Sequence, residues 1–218
     1  MRRVASAVAS LIAVVALSVR VAGAQTARPA ALDSATAAAI APIIEEARAA
    51  RLPLELLYDK AREGQVKRVP VATIESAVRQ LAQRIQTATE ALAPNPTHQE
   101  LREAAEALKV GVPRETLREM RRAGKDGSLT VPLGVLTSLV TRGVPIEKAS
   151  VQVVALLQRG AAPQHFIALD DRVRADVLAG RRPDESLDLR LKGILPNLPQ
   201  SATADGAGLQ SAGPKRPR

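Results

Sequence analysis

Apolar residues recur at three- and four-residue steps over most of the chain, the spacing that places side chains along one face of an α-helix. The clearest run is Ile74, Val78, Leu81, Ile85, Ala88 and Leu92, with Glu75, Arg79, Gln83 and Gln86 on the opposite face. A stripe of that width needs other helices to cover it, and it marks Leu81 as a core position. No segment reads convincingly as a strand, so the expected fold is all-α.

Proline and glycine punctuate the pattern. Gly111-Val112-Pro113-Arg114-Glu115 and Gly143-Val144-Pro145-Ile146-Glu147 share the form G-V-P-x-E. Gly180-Arg181-Arg182-Pro183-Asp184-Glu185 is a looser copy, and Leu52-Pro53-Leu54-Glu55 keeps the second half. Glycine suits the left-handed residue just past a helix end, and proline suits the first helical position, where its missing N–H has no intrahelical partner. Glutamate then falls at the third helical position, a cap for free N–H groups rather than a catalyst. Thr97-His98-Gln99-Glu100 has capping-box spacing.

These signals predict about nine helices, near 34–50, 53–63, 70–92, 98–109, 113–123, 132–142, 145–159, 163–179 and 183–191, with Pro42 kinking or restarting the first. Pro53 to Gly64 followed by Pro70 is echoed by Pro113 to Gly124 followed by Pro132, about 60 residues later, which suggests an internal duplication. Short helices joined by tight connections favour antiparallel neighbours. The expected architecture is a set of irregular αα-hairpins, arranged as an α-solenoid-like stack or as a compact multi-helix bundle.

The ends read differently. Arg2 and Arg3 precede an apolar run from Val4 to Leu17, and Ala22-Gly23-Ala24 supplies small residues for cleavage before Gln25. Residues 1–24 therefore read as a signal peptide, with an uncleaved anchor as the alternative, and the body as exported to the periplasm or beyond. The chain has no Cys, which excludes a lipid-modified lipoprotein, a disulfide framework and thiolate metal ligands. Residues 25–32 form a linker, 33–195 the helical repeat domain, and 196–218 a disordered tail ending in Lys215-Arg216-Pro217-Arg218. No transmembrane segment is expected after cleavage.

The full chain of 218 residues is 46% hydrophobic and carries a formal net charge of +9; loss of residues 1–24 takes three arginines and no acid, leaving +6. That excess is spread among carboxylates. With one Tyr, one Phe and no Trp, the chain has no base-stacking platform, which excludes sequence-specific nucleic-acid recognition of that kind.

The stretch Leu52 to Leu57, with Lys60, Ala61, Glu63, Gly64, Lys67, Val69, Pro70, Ile74, Ala77 and Val78, resembles a pattern in uncharacterised bacterial exported proteins that also carry later G-V-P repeats. The resemblance covers most of the helical region and implies a shared all-helical fold, with no activity attached.

Candidate chemistry is sparse. Tyr58, Lys60, Glu63 and Lys67 form the best candidate for a small partner-recognition patch. Arg114, Arg118, Arg121, Arg122 and Lys125 form the densest basic run, in which Arg114, Arg118, Arg121 and Lys125 make a stripe suited to polyanions, diluted by Glu115 and Glu119. His165 precedes Asp170, Asp171 and Asp176, but Ala168 and Leu169 occupy the positions that share its face, so neither a metal nor a cofactor is expected. The loop from Gly124 to Thr130 lacks the order of a phosphate loop. The first expectation is a non-catalytic exported scaffold that binds an envelope protein; the alternative is an envelope polyanion-binding protein. An enzyme using Glu63, His98, His165 or the Asp170–Asp171 pair comes third.

Overall fold

A computed structural model describes residues 31–125 and 127–194, together with Pro196 and Leu198. The segment read as a signal peptide, most of that read as a linker and nearly all of that read as a tail lie outside the described residues. Within them the chain is all-helical, with nine helices: α1 (Ser34–Ala49), α2 (Leu54–Val66), α3 (Val71–Ala91), α4 (His98–Lys109), α5 (Arg114–Gly124), α6 (Thr130–Thr141), α7 (Ile146–Gln158), α8 (Pro163–Leu178) and α9 (Pro183–Ile194). α1 runs unbroken through Pro42. Among the described residues, no helix is long and apolar enough to cross a membrane.

One connection recurs six times. At the end of α4, Gly111 adopts φ +94° and its N–H donates to the Leu108 carbonyl at 3.1 Å, while the Val112 N–H donates to the Ala107 carbonyl at 3.0 Å. This paired closure satisfies two carbonyls that the helix end would leave bare. Gly143, Gly160 and Gly180 close α6, α7 and α8 in the same way. At the ends of α1 and α2 the left-handed residues are Arg51 and Arg68, each at φ +55°. The G-x-P pattern therefore extends to Arg51-Leu52-Pro53 and Arg68-Val69-Pro70, two copies hidden by the use of arginine. A β-carbon costs about 1–2 kcal/mol in this conformation, partly offset by the extra unfolded-state freedom of glycine. Arg51→Gly and Arg68→Gly are each expected to stabilise the fold by about 0.5 kcal/mol in urea titrations; a loss of stability in both would contradict the assignment.

The prolines sit one place earlier than expected. Pro53, Pro70, Pro113 and Pro145 are extended N-cap residues, with ψ between 96° and 147°. Their carbonyls accept the opening helical bonds, as from the Ile74 and Ala149 N–H groups at 3.0 and 2.9 Å. Glu55, Glu115 and Glu147 consequently occupy second rather than third helical positions, where they act on the positive helix end through charge. Pro163 and Pro183 do open their helices, whereas Pro132 lies inside the first turn of α6, which begins at Thr130.

Packing runs between neighbours and next neighbours. α3 packs against α1, α2, α4 and α5; beyond it the contacts run α4–α6, α5–α7, α6–α7, α6–α8 and α8–α9. None of these larger packings joins the first helices to the last. A continuous core runs from Ile40 to Leu198, with Phe166, Leu57, Ile85, Met120 and Leu136 among its fully buried side chains. The two halves of the sequence echo also share a packing device. A β-carbon on Gly64 would lie 2.7 Å from Ile74 Cγ1, and one on Gly124 would lie 2.6 Å from Leu129 Cδ2, so each glycine leaves room for a buried aliphatic side chain later in the chain.

Two expectations change. Leu81 is only half-buried and packs on the edge of the core, because its side of α3 opens into a groove; Val78 and Ile85 are the fully buried members of that stripe. Leu198 is 5% exposed and belongs to the core, so the packed domain extends past residue 195 into the segment read as tail.

Candidate functional site

The first candidate patch is divided by the helical geometry of α2. Lys60 and Glu63, one turn apart, face a groove of about 220 Å³ whose lining includes Asp59, Leu81 of α3 and Arg102 and Glu106 of α4. Tyr58 points elsewhere: it is half-buried, with the Arg62 guanidinium 5.9 Å from its ring centroid. Lys67, the residue just past the helix end, reaches back to Glu63.

Glu63 is the centre of this cluster. Its Oε2 accepts from Lys60 Nζ at 2.8 Å and its Oε1 from Lys67 Nζ at 2.5 Å. The hydrogen bond from Lys60, followed by that from Lys67, holds the Glu63 carboxyl down to about 2. A depressed carboxyl stabilises the fold above its unfolded value of about 4.5, and the contribution fades as pH falls toward 2. Because the pair is solvent-exposed, that contribution is small, about 0–1 kcal/mol. In an NMR titration, Lys60→Ala should move the Glu63 midpoint up toward an ordinary glutamate; an unmoved midpoint would show that the contact is not held in solution.

The groove continues into a cleft of about 350 Å³ through Leu56, Asp59 and Arg102, reaching Glu55, His98 and Gln99 at the adjacent starts of α2 and α4. Its floor is the nearly buried Leu56 and the half-buried Leu81, and its walls carry both signs of charge. His98 Nδ1 stands 4.0 Å from Glu55, both well exposed.

The basic stripe on α5 resolves into three situations. Arg114 Nε is 3.0 Å and Arg118 Nη1 3.9 Å from Glu115, so one carboxylate serves both. Arg121 turns inward, with Nη2 3.0 Å from Glu100 Oε1, although neither Nη2 nor Nε makes a well-directed hydrogen bond. Lys125 lies past the helix end at φ +50° and has no carboxylate partner among the described residues. Arg122, which the sequence pattern did not place on the stripe, joins Lys125 at a pocket between α5 and α7.

Glu100 is the residue whose importance exceeds its motif. The expected capping box is formed: Glu100 N–H donates to Thr97 Oγ1 at 3.1 Å, and Thr97 N–H donates to Glu100 Oε2 at 2.9 Å. The other oxygen, Oε1, accepts the Leu129 N–H at 2.7 Å, across 29 residues. Glu100 is only 3% exposed. Burial pushes its carboxyl up, but the Leu129 and Thr97 N–H groups together with Arg121 outweigh that and leave it lowered.

Two of the carboxylates near His165, Asp170 and Asp176, have arginine partners. Asp170 pairs with Arg142 across α6 and α8. Asp176 is gripped by Arg190 Nε at 2.8 Å and Nη2 at 2.6 Å and accepts from Ser186 Oγ at 2.6 Å, stapling α8 to α9. Arg190 first, then Ser186, holds Asp176 far below the usual carboxylate range. His165 Nδ1 accepts the Ala162 N–H at 3.0 Å and caps α8. Among the described residues, no group of three or more His, Asp or Glu side chains is arranged to hold a metal.

The chain matches no family model, no curated protein and no solved structure.

Proposed function

We propose that this protein is a non-catalytic helical-repeat scaffold, exported to a bacterial cell envelope, where it binds another envelope protein. The observation that carries the proposal is the groove along α2, α3 and α4, in which Leu56 and Leu81 lie between side chains of both charges that a partner of matching charge pattern could engage. The basic start and apolar run of residues 1–24, and the resemblance to exported bacterial proteins, support export. A decisive experiment is affinity purification of the protein, expressed from its full sequence, out of envelope extract before and after a high-salt wash. A stoichiometric partner retained at high salt, and lost on Leu81→Glu, supports the scaffold. Anionic material alone, released by salt, refutes it.

Arg122 and Lys125 at the α5–α7 pocket, which have no carboxylate partner among the described residues, favour a second reading, an envelope polyanion-binding protein. This reading requires affinity that falls steeply with salt, through counterion release.

A further inference from the structure

Glu103 stands apart among the carboxylates withdrawn from solvent. Glu75, Glu100, Glu106, Asp170, Asp176 and Asp184 are each buried or half-buried, and each has a lysine or arginine at ion-pair distance. Glu103 is half-buried as well, yet it has no ion-pair partner among the described residues.

Its surroundings explain the lack. Side chains three and four places away on a helix share a face, and around Glu103 these are Gln99, Glu100, Glu106 and Ala107, none of them a cation. Arg102, next in sequence, lines the groove between α2 and α4. α6, which packs on α4, carries no charged side chain from Thr130 to Thr141. α3, the other helix packed on α4, carries Glu75, Arg79, Arg84 and Glu90; Arg79 pairs with Glu75, and none of the four pairs with Glu103.

Across the contact from Glu103 lies Gly134, the one glycine of α6. A β-carbon there would be 3.4 Å from Glu103 Oε2, so the carboxylate rests over α6 where that helix has no side chain. Withdrawing a carboxylate from water without a counter-charge penalises its charged form. Burial accordingly pushes the Glu103 carboxyl up from 4.5; Arg102 offsets part of the effect, and the like charge of Glu106 adds to it.

We propose that Glu103 makes the α4–α6 contact proton-sensitive: an unmatched carboxylate weakens the contact at neutral pH, and uptake of a proton from solvent strengthens it. This device is independent of whether a partner occupies the groove. Its sign follows from linkage. A carboxyl raised in the fold contributes stability that is complete below its unfolded value of 4.5 and is lost as pH rises through the folded value. Glu100, whose carboxyl is lowered, responds in the opposite sense, so two carboxylates of α4 meet the α6 side with opposed responses to acid.

The test is an NMR pH titration of the Glu103 side chain in the full chain, with thermal melts at pH 7 and pH 4. The Glu103 midpoint is expected above 4.5. Gly134→Ala places a methyl group against Oε2 and should raise the midpoint further, a response that a carboxylate free in water would not give. Glu103→Gln, which keeps the shape and removes the charge, should melt about 2 °C above the parent at pH 7, with the difference gone at pH 4. Both substitutions suit a helix interior, so both variants are expected to fold. A Glu103 midpoint at or below 4.5, an unmoved or lowered midpoint in Gly134→Ala, or a Glu103→Gln variant that melts no higher than the parent at pH 7 would each overturn the proposal.

Discussion

Glu100→Ala is expected to destabilise the protein by about 3 kcal/mol, because one buried carboxylate serves three structures. Its Oε2 holds the start of α4 through the Thr97 N–H, its Oε1 holds the start of α6 through the Leu129 N–H at 2.7 Å, and Arg121 of α5 lies against it at 3.0 Å. Alanine leaves the Leu129 N–H buried without an acceptor and a largely buried guanidinium without a counter-charge. Glu100→Gln keeps one oxygen for one N–H and is expected to cost about 1–2 kcal/mol. Guanidinium unfolding of both variants checks the ranking, and equal stability of Glu100→Ala and the parent would remove Glu100 from the account. The pH dependence has a definite sign. The folded carboxyl is lowered relative to 4.5, so its contribution is complete above that value and is lost as pH falls through the folded value.

Phe166→Ala is expected to cost about 3–5 kcal/mol, the usual range for emptying a large aromatic site. Phe166 is the only phenylalanine in the chain and is 1% exposed, on α8, which packs against α6 and α9. The surrounding core is built from aliphatic side chains, which leaves no second aromatic ring to collapse into the space. Phe166→Leu fills most of the volume and should cost about 1.5 kcal/mol or less. Thermal melts of the pair check both numbers, and an unchanged melting temperature for Phe166→Ala would contradict the burial.

Helix number and order were legible in the sequence because each boundary is a local event. The residue before a proline is pushed out of the helical region, and glycine adopts positive φ at little cost, so G-V-P states its own geometry. Arg51 and Arg68 perform the glycine's role without its signature, and were not recognisable until the backbone angles were seen. The assignment of Leu81 to the core failed for another reason: periodicity identifies a face, but how far α2 and α4 close over that face is a tertiary property.

The candidate sites were legible only within single helices. The Lys60–Glu63 pairing follows from i,i+3 spacing, whereas the inward turn of Arg121 depends on Glu100, 21 residues earlier and on another helix. Capping-box spacing marked one Glu100 oxygen; nothing in the local pattern marked the other, because Leu129 meets it only once α4 and α6 pack. Arg122 belongs to the same basic run but lies off the 114–118–121 face, and its place beside α7 depends on how α5 and α7 pack.

The most direct test of an open-stack arrangement is residue-resolved native-state hydrogen exchange on Phe166→Ala. With the larger packings between neighbours and next neighbours, a stack should lose protection in α6, α8 and α9 in the variant while α1 to α3 keep theirs. Equal loss of protection across all nine helices would show a single closed cooperative unit and contradict the stack.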